Sequence, residues 1–136
     1  MPQRRLLLDT GPVVALLNDK DGLHGRAVRF FQEEQAAFLT TWPVITEVCH
    51  FLPVVKQAAF MRMIGAGSIA VGDILLGAGR IAALQEKYAD YSPDLADVSL
   101  IYLAEQTGLN QIVTTDETDF AVYRIGGRRR FEIVGP

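Results

Sequence analysis

Histidine and cysteine are scarce, two and one in 136 residues. Their scarcity excludes a zinc site built from paired soft ligands, and a lone Cys49 closes no internal disulfide. Its neighbours Val48 and Phe51 make it a small hydrophobe more than a reactive thiol. Long apolar runs are missing as well. The longest falls far short of the ~20 residues a membrane span needs, and Met1-Pro2-Gln3-Arg4-Arg5 leads into only three leucines before Asp9. The sequence therefore predicts a soluble, cytoplasmic chain with no signal peptide and no membrane partner. Positive charge is not in excess either: the net charge is -3, which leaves any contact with phosphate to local patches. Repeats, linkers and low-complexity segments are absent, and a 49% hydrophobic content over this length predicts one domain spanning 1–136.

Strand and helix signals alternate along the chain, which predicts an α/β fold with a mainly parallel sheet. Arg5 to Leu8 reads as a strand, and Gly11-Pro12 opens a helix through Leu17 with proline at its first position. Asp21 to Glu34 carries apolar residues at helical spacing, and Ala37 to Leu39 reads as the second strand. Pro43 starts a helix to about Leu52, Pro53 interrupts it, and Val54 to Ile64 resumes. Ile69 to Val71 is a short strand, Leu75 to Tyr88 a helix, and Asp94 to Thr107 a helix apolar nearly all round, which predicts burial. Gln111 to Thr115 is a strand, Thr118 to Arg124 is ambiguous, and Phe131 to Val134 is a last strand at the sheet's edge.

Four acidic residues fall where a site belongs. Asp9 and Asp116 each lie just past the carboxyl end of a predicted strand, which is where open parallel sheets bind ligands. Glu47 shares its helical face with Val44 and Phe51, and Asp97 sits in an apolar helix with no lysine or arginine within a turn. Asp94 lies one turn before Asp97, at a helix start where a helix-dipole role stands beside metal ligation. Gathering carboxylates without a counter-charge raises their pKa values and resists joint ionisation, and a bound divalent cation removes that cost. All-oxygen ligation selects a hard ion, Mg²⁺ or Mn²⁺, and such ions supply the chemistry of phosphodiester hydrolysis.

The segments Leu6-Leu7-Leu8-Asp9-Thr10-Gly11-Pro12, Thr46-Glu47-Val48, Asp90-Tyr91-Ser92-Pro93-Asp94-Leu95-Ala96-Asp97 and Val113-Thr114-Thr115-Asp116-Glu117-Thr118-Asp119-Phe120 resemble, in order and spacing, the motifs of PIN-domain ribonucleases. The toxins of bacterial VapBC-type toxin–antitoxin modules belong to that group. The resemblance spans almost the whole chain and implies a Rossmann-like three-layer α/β/α sandwich. By it, Asp9, Glu47, Asp97 and Asp116 are the catalytic quartet that binds Mg²⁺ or Mn²⁺. Thr10 and Thr114 match hydroxyl positions that support such a site, and Asp119 matches a further acidic position near the metal. The implied activity is RNA cleavage, often by a homodimer, with an antitoxin protein plugging the cleft. Many members carry serine or asparagine where this chain has Gly11-Pro12, a departure that leaves the quartet intact and bears on the backbone near Asp9.

Other readings compete with this one. Asp9-Thr10-Gly11 is also the aspartic-protease tripeptide, but that chemistry needs a second such aspartate and an all-β frame. A phosphatase or receiver domain needs a lysine or a second aspartate near the nucleophile, and none is found around Asp9. A PIN-fold module that binds RNA or protein without cleavage, and a PIN nuclease outside toxin–antitoxin biology, remain the alternatives; an intact quartet favours cleavage. His24 and His50 receive no catalytic role, since a metal-bound water needs no histidine base. Arg124, near the Asp116 loop, and Arg128, in the Arg128-Arg129-Arg130 run after Gly126-Gly127, are the candidate RNA contacts. Phe51, Phe60, Met61 and Met63 give the helices from Trp42 to Ile64 more apolar surface than one core face needs, which predicts a homodimer.

Overall fold

Three leucines in succession, all fully buried, are what a strand carries when helices cover both its faces. They form β1 (Arg5–Leu8), the middle strand of a five-stranded sheet. Its neighbours are β2 (Ala37–Thr40) on one side and β4 (Gln111–Val113) on the other. The sheet is completed by β3 (Ile69–Val71) beside β2 and by β7 (Glu132–Ile133) at the far edge, in the order β3-β2-β1-β4-β7 with every neighbouring pair parallel. Chain order runs outward from β1 in one direction and then restarts at β4 in the other. The reversal between β1 and β4 opens a crevice at their carboxyl ends. The computed structural model describes residues 3–136; Met1 and Pro2, where the reading of a leaderless start begins, lie outside the described residues.

Helices α1 (Thr10–Leu17), α2 (His24–Glu33), α3 (Trp42–His50), α4 (Val54–Gly65), α5 (Ala78–Lys87), α6 (Leu95–Thr107) and α7 (Glu117–Val122) flank the sheet among the described residues, giving the three-layer α/β/α sandwich. Helix α6 is its central pillar: Ala96 through Ala104 are buried without interruption, as the apolar sequence predicts. Thr41 caps α3 and its hydroxyl lies 2.6 Å from that of Ser99, which ties α3 to α6. Close approach of α6 to the turn before α5 requires glycine at position 77, because a Cβ there would lie 2.2 Å from the Tyr102 ring. No helix among the described residues is long and apolar enough to cross a membrane.

Several boundaries differ from the sequence reading for local reasons. Helix α1 begins at Thr10, so Pro12 is its third residue; the missing N–H still falls in the first turn, where it has no intrahelical acceptor. Helix α2 starts at His24 because Asn18 and Asp21 accept bonds from the backbone of Lys20 and Leu23 and hold 18–23 as turns. Leu75–Gly77 is a 3₁₀ turn that precedes α5, with Asp73 accepting from the Leu75 backbone. The ambiguous stretch from Thr118 to Arg124 is mostly helix α7, and it leads into a hairpin of β5 (Arg124–Ile125) and β6 (Arg129–Arg130). Gly126 and Gly127 make that reversal with φ of 61° and 78°.

Candidate active site

The β1–β4 register sets Leu8 opposite Val113, and the Asp9 backbone donates to the Val113 carbonyl at 3.0 Å. Asp9 thus emerges beside Thr114, whose hydroxyl donates to Asp9 Oδ2 at 2.7 Å and accepts from the Asp116 backbone at 2.9 Å. That second bond ends β4 two residues earlier than the sequence suggests and turns the chain toward α7. Asp116 then caps α7, its Oδ1 accepting from the Asp119 backbone at 3.1 Å, which brings the two carboxylates onto one side. Asp94 performs the same task for α6 by accepting from the Asp97 backbone at 2.9 Å, so its helix-start role is realised. Asp97, 7% exposed, projects from the first turn of α6 toward the α7 cap.

One carboxylate oxygen each from Asp97, Asp116 and Asp119 lies within 4.8 Å of the others. Asp9 lies near enough to Asp97 and Asp116 for their charges to interact, and Glu47 faces Asp9 and Asp94. Asp9 is 5% exposed, and its Oδ1 has no hydrogen-bond partner among the described residues. Burial pushes its carboxyl up to about 6, against the pull of Thr114, with Asp94 and Asp116 adding to the rise. Burial likewise raises Asp97 to about 8, followed by the negative charges of Asp9 and Asp94. Glu47, half-buried on α3, is pushed up to about 7 by burial and by its proximity to Asp94 and Asp9. Asp119 is raised by burial and by Asp116. Six acidic side chains, Asp94 among them, from the β1 end, α3, α6 and its cap, and α7 and its cap, thus crowd their charges together.

The donor set fits a hard divalent cation. Every candidate ligand is a carboxylate oxygen, and an unpartnered buried oxygen on Asp9 is a group that a cation satisfies and a proton only half satisfies. His24 is remote from such a task, since its Nδ1 lies 2.8 Å from the Ala15 carbonyl. Cys49 is half-buried, and burial raises its thiol, in keeping with an unreactive side chain.

Tyr123 escapes sequence reasoning. Its ring is fully buried between Phe120 and Tyr88, in edge contacts at 5.2 Å and 5.1 Å, and its hydroxyl donates to Asp97 Oδ2 at 2.9 Å. The spacing of Phe120 and Tyr123 marks an inward face, but the acceptor lies 26 residues away and no local signal announces it. Tyr123 fixes the orientation of Asp97. Tyr123→Phe keeps the packing and removes the bond, so Mn²⁺ affinity by calorimetry is expected to fall by about tenfold or more, with a stability change near ~1 kcal/mol. An unchanged affinity reduces Tyr123 to a core residue.

The remaining predicted positions separate. Thr10, buried at the start of α1, turns its hydroxyl toward the Glu47 carboxylate and pulls its pKa down, without a bond of full hydrogen-bond geometry. The Arg124 guanidinium is engaged, since Nη1 donates to the carbonyls of Ala121, Val122 and Tyr123 at 2.8 to 3.0 Å and fastens the end of α7. Arg128 is exposed at the hairpin turn. Phe60 is fully buried in the core and Met63 is half-buried, so only Phe51 and Met61 of the four residues read as surplus surface are exposed.

No protein-family model and no curated protein matches the chain. Among solved structures it is similar to Mycobacterium tuberculosis VapC20, a sarcin-ricin loop cleaving toxin, with a TM-score of 0.76 and 16% identity, covering 83% of this chain and 91% of that one. At that identity the likeness is one of fold, and the fold is the α/β/α sandwich that the motifs lead one to expect.

Proposed function

We propose that the chain is a metal-dependent endoribonuclease of the PIN type and the toxin of a VapBC-type toxin–antitoxin pair. The observation that carries the reading is the convergence of Asp97, Asp116 and Asp119 within 4.8 Å beside a buried, unpartnered Asp9 oxygen, at the carboxyl ends of β1 and β4. The fold shared with VapC20, a sarcin-ricin loop cleaving toxin, supports the choice of RNA as substrate. Asp9, Glu47, Asp97 and Asp116 would hold Mg²⁺ or Mn²⁺, with Asp119 completing the tight group. Such an ion, when bound, neutralises the cluster, polarises the phosphoryl oxygen and lowers the pKa of a water.

The chain's own residues prepare that chemistry. Thr114 holds Asp9, Tyr123 holds Asp97, and the caps formed by Asp94 and Asp116 fix the helix starts that carry Asp97 and Asp119. Each bond spends a donor on one carboxylate oxygen and sets the direction of the other. A negative pocket repels the phosphodiester unless it is neutralised, so binding of RNA at the carboxylates requires the metal. Arg128, exposed on its hairpin, is the candidate contact for a phosphate outside the pocket. Cleavage of a loop-containing RNA in Mn²⁺, its loss on chelation, and its loss in Asp97→Asn test the assignment; an undiminished rate after chelation overturns it.

An antitoxin partner and a homodimer complete the proposal. Val54, Val55 and Met61 are between 40% and 78% exposed on α4, an apolar area suited to a second copy. Sedimentation is expected to give a dimer at micromolar concentration; a monomer there removes the idea.

A further inference from the structure

Beside the carboxylates the surface opens into a cleft of about 610 Å³, lined by Trp42, Phe51, Leu95 and His50, with Glu47 and Asp94 on the wall it shares with the acidic site. Trp42 is 54% exposed, Phe51 59% and Leu95 49%. The arrangement follows from helix geometry. Trp42, Thr46 and His50 recur at intervals of four along α3, and Pro43 and Glu47 form the adjacent stripe, so an aromatic strip runs alongside a catalytic carboxylate. Asp94 and Leu95 at the start of α6 close the other side.

The chemistry of the lining selects its occupant. No lysine or arginine lines the cleft, and two carboxylates do, so it repels a phosphate. A flat, uncharged group with a π-face suits an exposed indole. A nucleobase whose own phosphate lies at the acidic site has those properties and reaches the cleft by continuity through Glu47 and Asp94. We propose that this cleft receives one unpaired base of the RNA substrate, next to the scissile phosphate, stacked on Trp42 with Phe51 and Leu95 at its edges. The proposal rests on the nuclease reading. It makes the enzyme select single-stranded or looped RNA, because a paired base cannot leave its stack without added cost.

Trp42 is the single tryptophan of the chain, so its fluorescence reports on the cleft directly. With Mn²⁺ present, a short unstructured oligoribonucleotide is expected to quench that emission saturably in stopped flow before turnover, whereas the same oligonucleotide with abasic positions leaves it unchanged. Trp42→Ala should lower kcat/KM by about tenfold or more, Trp42→Phe should recover most of it, and Mn²⁺ affinity should stay as in the unmodified protein. Cleavage without quenching, or with a kcat/KM indifferent to Trp42→Ala, overturns the base site and leaves the nuclease standing. Quenching in a protein that cleaves nothing supports the base site and overturns the nuclease. A Trp42→Ala variant altered only in its sedimentation assigns the cleft to a protein contact and also overturns the proposal.

Discussion

Asp97→Asn is expected to abolish RNA cleavage, slowing it by roughly a thousandfold or more, while raising the melting temperature of the metal-free protein at pH 8. Both effects come from one side chain. Asp97 belongs to the tight carboxylate trio, so on the proposed reading its loss would remove a metal ligand. It is also buried against the negative charges of Asp9 and Asp94, which oppose its ionisation. Asparagine preserves the shape and still offers an oxygen to the Tyr123 hydroxyl, whose bond to Asp97 is 2.9 Å. What disappears is a buried, unneutralised charge, and relief of about 1–2 kcal/mol raises the melting temperature by several degrees. At pH 5 Asp97 is already protonated, so the gain there should vanish. Activity retained in the variant ends the enzyme assignment, and a lowered melting temperature at pH 8 shows that Asp97 stabilises the fold in a way its surroundings do not explain.

How much of this site is legible in the sequence depends on the range of the contact concerned. Asp9 and Asp116 are readable because they follow apolar strands, and strand ends at a chain-order reversal are where α/β sheets form sites. Asp97 is readable because an aspartate in a helix buried from Ala96 to Ala104 has no bland explanation. Asp119 is named by the motif, but its place inside the tight trio comes from the Asp116 cap, a bond three residues long that fixes direction and not just position. Tyr123 is invisible for the opposite reason, since its partner is on another helix. Phe60 looks like surplus surface because helical spacing does not say which of two apolar stripes faces inward; the sheet decides, and it is buried. The hairpin of Arg124–Ile125 and Arg129–Arg130 has two-residue strands, too short for any alternation to register.

Removing the metal should make the protein's stability depend on pH in an unusual direction. A carboxyl whose pKa is higher in the native state than in the unfolded chain holds its proton more tightly when folded, so it favours the fold at low pH and forfeits that advantage as pH rises through the native value. Asp9 moves from 3.8 to about 6, Glu47 from 4.5 to about 7 and Asp97 from 3.8 to about 8, so the loss is spread between about pH 4 and pH 8. Glu105, lowered by its Arg80 partner, acts oppositely and loses its contribution only as pH falls into the acid range. The chelated protein is therefore expected to be most stable near pH 4 and to lose about 2–4 kcal/mol by pH 8, roughly 10 °C in melting temperature. Mn²⁺ should erase that slope, because it replaces the protons with a charge that all the carboxylates favour together. By the same linkage its apparent affinity should climb with pH up to about 8 and then level off. Calorimetric melts at three pH values, with chelator and with Mn²⁺, decide the matter: a chelated protein equally stable at pH 5 and pH 8 means the carboxylates do not share one field, and the metal site built from them fails with it.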